Sequence, residues 1–168
     1  MIVKVCKRVT NTRGMVQYLM GPGKDRIHEN QHTVAGTIMY ADPNSTELRR
    51  QMTADLDLHS KLHPKVQIKG GNVYHVVLSL PAADGQLSDG KWNQIATEFM
   101  DSMGMTGQGG KATMWTAIRH GLSADGNDHV HIVANLIRQD GTRVSLHNDM
   151  PRASKVVADL ERKYGLST

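Results

Sequence analysis

An α+β domain, built on a central antiparallel β-sheet flanked by helices, is the fold class this sequence predicts. Three observations carry that expectation. Residues 2–9, 73–80, 112–119 and 128–135 are β-branched or alternating apolar and polar runs, with side chains repeating at the period of two that belongs to strands. Between and after them, residues 12–20, 44–62, 87–104 and 151–163 carry apolar side chains three and four apart, the spacing of amphipathic helices. Residues 120–127 form a turn-rich link between two strand runs, short enough to make a hairpin-like antiparallel pair. The predicted order is β-α-(β)-α-β-α-β-β-β-α, with no internal repeat, linker or low-complexity tract.

Each element has its own local reason. In the first run, Ile2, Lys4, Cys6 and Arg8 share one parity and Val3, Val5, Lys7 and Val9 the other. Thr10 or Asn11 is placed to cap the next helix, in which Met15, Val16, Leu19 and Met20 fall on one side. Gly21-Pro22-Gly23 stops that helix, because proline removes a backbone donor and glycine accepts left-handed dihedrals. Tyr18 therefore sits near the end of a short helix, just before a Gly/Pro turn. Residues 24–32 read as a polar surface loop and 33–40 as holding a short extended piece. Asn44-Ser45-Thr46-Glu47 looks like a helix start, followed by a stripe of Leu48, Met52 and Leu56 running towards Leu62 and Pro64. After the Gly70-Gly71 turn, residues 73–80 are the densest apolar run and the best central-strand candidate ahead of the histidines. Leu87-Ser88 opens a long helix whose buried face is Trp92, Ile95, Ala96, Phe99 and Met100. Gln139-Asp140-Gly141-Thr142 marks a tight turn, 143–146 a further strand, and Val156, Val157 and Leu160 the inner face of the closing helix.

Composition narrows the class of function. A chain of 168 residues is expected to form one domain, covering residues 1–168, and to be the N-terminal part of a longer protein. No apolar run approaches the roughly 20 residues that span a bilayer, so no membrane insertion is expected. A single cysteine, Cys6, excludes an internal disulfide and fits a cytoplasmic location. The formal charge of +4 is compatible with a nucleic-acid partner without demanding one. Nine histidines are the more unusual feature.

The histidines concentrate in Asp128-His129-Val130-His131-Ile132-Val133-Ala134-Asn135. Val130, Ile132, Ala134 and Leu136 form an apolar core face, while His129, His131, Val133 and Asn135 share the other. Two imidazoles aimed the same way from a rigid strand can serve one metal ion, and His120, at the end of the preceding strand run, supplies a third. Neutral imidazoles leave the ion nearly its full charge, which favours an anionic ligand such as a phosphodiester. A nucleophile is then needed. Asp125 and Asp128 are near in sequence, but a carboxylate attacking phosphorus yields a mixed anhydride that water destroys. A tyrosine gives a phosphodiester of stability similar to the original, so the step can be reversed. Of Tyr18, Tyr40, Tyr74 and Tyr164, Tyr18 lies beside the glycine-rich turn; from position alone, an aromatic packed on the sheet is the simpler reading of it.

These segments resemble the N-terminal nicking domain of conjugative relaxases, in the relaxase/mobilisation nuclease family. Tyr18-Leu19-Met20-Gly21-Pro22-Gly23-Lys24, continued by His28-Glu29-Asn30 and Val34-Ala35-Gly36, is similar to the family's nucleophile motif. Val73-Tyr74-His75-Val76-Val77-Leu78-Ser79-Leu80-Pro81 is similar to its second motif. Arg119-His120 with the histidine strand is similar to its third, metal-binding motif. In many relatives an aspartate follows the first histidine closely, whereas here Gly121-Leu122-Ser123-Ala124 precede Asp125.

The resemblance implies a His-hydrophobe-His endonuclease fold and a site- and strand-specific enzyme that nicks single-stranded DNA at an origin of transfer. It implies Tyr18 as the nucleophile, a 5′-phosphotyrosyl adduct, rejoining by the reverse reaction, and accessory relaxosome proteins as partners. Relaxases of this type use magnesium or manganese, whereas the chemistry of three imidazoles alone would favour zinc, iron, nickel or copper. Four residues are secondary expectations: Asp128 and Asn135 as supports for a ligand histidine or as DNA contacts, and Ser79 and His75 as DNA contacts or buried hydrogen-bonding groups. Lys7, Arg8, Arg13, Lys24 and Arg26 are either phosphate contacts or an ordinary solvated basic surface. A rolling-circle replication initiator or single-strand transposase shares the metal motif, but there the tyrosine usually follows the histidines. A non-catalytic single-stranded DNA-binding module and a hydrolase using metal-bound water are the readings from other classes.

Overall fold

The computed structural model describes residues 1–22 and 30–167. Gly23, Lys24, Arg26, His28 and Glu29, named above in the nucleophile motif or the basic set, lie outside the described residues. Five strands form one antiparallel sheet: β1 (Ile2–Val5), β2 (His32–Gly36), β3 (Val73–Ser79), β4 (Trp115–Leu122) and β5 (Asp128–Asn135), in the order β1-β3-β5-β4-β2. The helices are α1 (Thr12–Met20), α2 (Thr46–Leu56), α3 (Leu58–Leu62), α4 (Asp89–Ser102) and α5 (Asp149–Tyr164). The histidine strand is therefore the middle strand, flanked by the two others that carry site residues.

The two faces of the sheet are covered differently. On one face Tyr74, Val76, Leu78, Trp115, Ala117, Val130, Ile132 and Ala134 join Trp92, Ile95, Phe99 and Met100 of α4 and Ala153, Val157 and Leu160 of α5 in a single core. Burying each such side chain is worth about 1.5–3 kcal/mol, so this core dominates the stability. On the other face Val73, Ile118 and Val133 pack under Met15, Val16, Leu19 and Met20 of α1 and Leu48, Met52 and Leu56 of α2. Two residues farther along each of those strands, on the same face, come His75, His120 and His131. The helices thus cover one end of this face, and the histidines begin where the apolar cover stops.

Local chemistry explains most boundaries. Asn11 caps α1 by accepting from the Gly14 N–H at 2.9 Å, and Ser45 and Ser88 cap α2 and α4 in the same way. Three expectations need correction. The first run is a regular strand only to Val5: Cys6 still donates to the His75 carbonyl at 2.9 Å and pairing resumes as a Val9–Val73 bridge, beside which Arg8 donates to the Gly71 carbonyl at 3.1 Å. The stripe through Leu62 is two helices, broken at Asp57, whose carboxylate accepts from the Thr12 hydroxyl at 2.5 Å and so ties the break to α1. Residues 143–146 form no strand; Arg143 makes one isolated bridge to Ile137. Gly36 ends β2 at φ +115°, with a Cβ there falling 2.3 Å from the Trp115 carbonyl oxygen, so only glycine fits.

Candidate metal centre and nucleophile

β5 presents His129 and His131 on the partly open face, as the period of two requires, and β4 adds His120. The third position depends on a β-bulge. Arg119 pairs with Val130 and Gly121 with His129, so β4 advances two residues while β5 advances one, leaving His120 as the extra residue. Gly121 accepts the positive φ of +83° that the bulge needs. β4 then continues to Leu122, opposite Asp128, before the turn closes through Ser123 and Asn127. Strand rather than loop thus follows His120, and the longer spacing before Asp125 is taken up by the hairpin.

His120, His129 and His131 are all half-buried, and their candidate ligand nitrogens lie within 4.8 Å of one another. The rings pack at centroid distances of 4.4 Å (His120–His131), 5.4 Å (His129–His131) and 5.9 Å (His120–His129). Nitrogens that close to one another are near enough to share a single ion. The donors fit a divalent cation: three imidazoles and no carboxylate in the group. His129 Nδ1 lies 3.1 Å from the Asn127 carbonyl oxygen; that oxygen only accepts, so Nδ1 carries the proton and Nε2 the lone pair.

His75, on β3, is buried and places its Nε2 2.9 Å from His131 Nδ1, with the two rings stacked at 5.2 Å. Burial, reinforced by the positive charge of Lys4, holds His75 down to about 4, so the pair is linked through a neutral His75 imidazole at neutral pH. Above it stands Tyr18, its ring 6.5 Å from that of His75 in an edge-on arrangement. Tyr18 is 68% exposed because the α1 spacing turns Met15, Val16, Leu19 and Met20 inward and leaves Tyr18 on the outer side. It is not an aromatic packed on the sheet, which corrects the reading from position alone. Tyr18, His75, His131, His120 and His129 therefore form one continuous set of rings.

The remaining site expectations divide. Ser79 is half-buried and lies directly opposite His129 across the β3–β5 ladder. Asp128 is fully buried on the reverse side, where its Oδ2 accepts from Trp92 Nε1 (2.9 Å), the Leu87 N–H (2.8 Å) and Arg119 Nη2 (3.0 Å). None of these donors is a histidine, so Asp128 neither orients a ligand directly nor reaches DNA. Asn135 shares the histidines' parity but lies under the helical cover, 1% exposed. Its amide donates to the Leu56 carbonyl (2.9 Å) and Ser60 Oγ (2.7 Å) and its oxygen accepts from the Ile137 N–H (3.0 Å), so it ties β5 to the α2–α3 junction instead of serving the site. Among the basic residues, Lys7 and Arg13 are exposed and Arg8 is held by the Gly71 carbonyl.

Arg119, which pairs with Asp128, is a residue that motif reasoning passes over; its signal in the sequence is that Arg119 precedes one site histidine and Asp128 another. Among the described residues no helix is long and apolar enough to cross a membrane. A comparison with curated proteins gives no match. Against protein families, the chain matches the relaxase family described as "MobA/VirD2-like, nuclease domain" over residues 18–166, a span that begins at Tyr18 and takes in all four site histidines. With most of its length aligned to that family, the chain belongs to the MobA/VirD2-like relaxases and is a relaxase nuclease domain.

Proposed function

We propose that this domain nicks single-stranded DNA at an origin of transfer by a reversible, metal-dependent transesterification with Tyr18 as nucleophile. The observation that carries the reading is the juxtaposition of one exposed phenol with a three-histidine cluster, joined through His75. His120, His129 and His131 would hold the divalent ion, manganese or magnesium in the cell. When bound, the ion polarises the phosphodiester and offsets the negative charge that grows on its oxygens.

The residues supply the rest. The exposed Tyr18 hydroxyl attacks phosphorus; its oxygen–phosphorus bond forms as the bond to the 3′ oxygen breaks. The phenolic proton is lost and the 3′ oxygen gains one, leaving a 3′ hydroxyl and a 5′-phosphotyrosyl adduct. Attack of a 3′ hydroxyl on that adduct restores the strand and frees Tyr18. His75 engages His131 Nδ1 in a hydrogen bond and so leaves His131 Nε2 as the nitrogen that would bind the ion. His129 is set the same way by the Asn127 carbonyl. Ser79, beside His129, is placed to contact the strand. The reaction takes place in the cytoplasm, with accessory relaxosome proteins melting the duplex.

The test is incubation with a single-stranded origin oligonucleotide and manganese, followed by denaturing electrophoresis. An adduct that survives denaturant is expected with the wild type. Normal cleavage with free ends by Tyr18→Phe would instead identify a hydrolase, and binding without nicking by the wild type a non-catalytic module.

A further inference from the structure

Behind the histidine cluster, on the opposite face of the sheet, a charged clamp spans the bulge that projects His120. Arg119 is the last β4 residue paired before the bulge, and its side chain is 13% exposed. Its Nη2 lies 3.0 Å from Asp128 Oδ2 and its Nη1 2.7 Å from Asp89 Oδ1. Asp128 pairs with Leu122 beyond the bulge, so the Arg119–Asp128 contact bridges the irregular step diagonally. Asp128 is in turn fixed by Trp92 and the Leu87 N–H, and Asp89 by His32 Nε2 at 2.8 Å. One guanidinium thus ties the residue before His120 to the residue before His129 and to the start of α4. A planar fork with two acceptors fixes orientation as well as distance, which a point charge does not.

We infer that Arg119 is a positioning residue for the metal centre: clamped by Asp89 and Asp128, it holds the β4 bulge in the one shape that aims His120 at His129 and His131. The bulge is a step at which β4 can slip towards a regular ladder, with His120 opposite His129 and its ring displaced along the strand. Arg119 opposes that slip from the reverse side without touching ion or DNA. This inference rests on the proposed three-histidine metal site.

The test uses the purified protein without DNA, titrated with cobalt(II) and followed by its visible absorption bands and by calorimetry. Arg119→Gln is expected to weaken cobalt binding about tenfold, the scale of losing an outer support, and to alter the band pattern. Arg119→Lys, which keeps the charge but not the fork, is expected to recover part of the loss. In a His120→Ala background, Arg119→Gln should add less than about twofold, because it acts through the ligand already removed. A general loss of stability would lower the melting temperature without producing that non-additivity. Arg119→Gln binding within about twofold of wild type, or losses that multiply in the double variant, overturns the inference while leaving the metal site standing. If Arg119→Gln does not fold, Arg119→Lys and Asp89→Asn decide on the same criterion. Wild-type protein that binds no cobalt would bring down the proposed metal site and this inference together.

Discussion

Replacing His75 with phenylalanine should separate support of the metal site from the fold itself. Phenylalanine fills the buried space and keeps a ring to stack on His131, but it cannot make the 2.9 Å hydrogen bond between His75 Nε2 and His131 Nδ1. That bond is already made without the ion, so its own net worth of about 1 kcal/mol counts towards the fold and not towards the affinity. Without it the His131 ring regains rotational freedom, at a cost of roughly 1 kcal/mol when the ion binds. That cost is about a fivefold weaker manganese affinity at 1.4 kcal/mol per tenfold. Isothermal calorimetry on the DNA-free protein reads the affinity, and thermal unfolding of the metal-free protein checks the fold. A folded His75→Phe variant that binds manganese as tightly as wild type would refute the reasoning.

Other perturbations probe neighbouring parts of the account. Asp128→Ala removes the acceptor shared by Trp92, Leu87 and Arg119 in a fully buried position and should cost about 3–5 kcal/mol in denaturant unfolding; a loss below about 1 kcal/mol would contradict its placement. Gly121→Ala forces a side chain onto a φ of +83° and should cost about 1 kcal/mol while also weakening metal binding; an unchanged melting temperature would argue against the bulge. At alkaline pH, Tyr40 is raised above its ordinary value of 10.0 by burial and by its hydrogen bond to Asp55. Its native form keeps its proton where the unfolded chain loses it, so its contribution is complete below pH 10 and lost as pH rises beyond. Tyr40→Phe should flatten that alkaline decline, and an unchanged slope would show that another group is responsible.

Much of this architecture is legible in the residues, for reasons that differ by element. Period-two alternation in β5 separates Val130, Ile132 and Ala134 from His129 and His131, and the structure puts those three apolar residues in the main core. Helical spacing in α1 likewise contains the outward position of Tyr18, since four inward residues leave it no other side. Parity says nothing about where along a face the cover ends. Asn135 shares parity with His131 but lies under the helices, bonded to Leu56 and Ser60. Asp128 shares the parity of Val130 and Ile132 and so belongs to the reverse face, but its partners Trp92 and Leu87, 36 and 41 residues away, depend on how α4 docks. The His75–His131 bond depends on the β3–β5 register, which no local pattern encodes. The bulge at His120 is hidden for a related reason: it is a mismatch between two strands, and each strand read alone looks regular.

The central claim is that the exposed Tyr18 phenol, set beside the histidine cluster, takes over a DNA phosphate. Mass spectrometry of the protein after reaction with a single-stranded origin oligonucleotide and manganese tests it most directly. The predicted result is a 5′-phosphorylated DNA fragment on the peptide containing Tyr18, abolished by Tyr18→Phe while DNA binding persists. An adduct on another residue, or one that forms undiminished in Tyr18→Phe, would contradict the account.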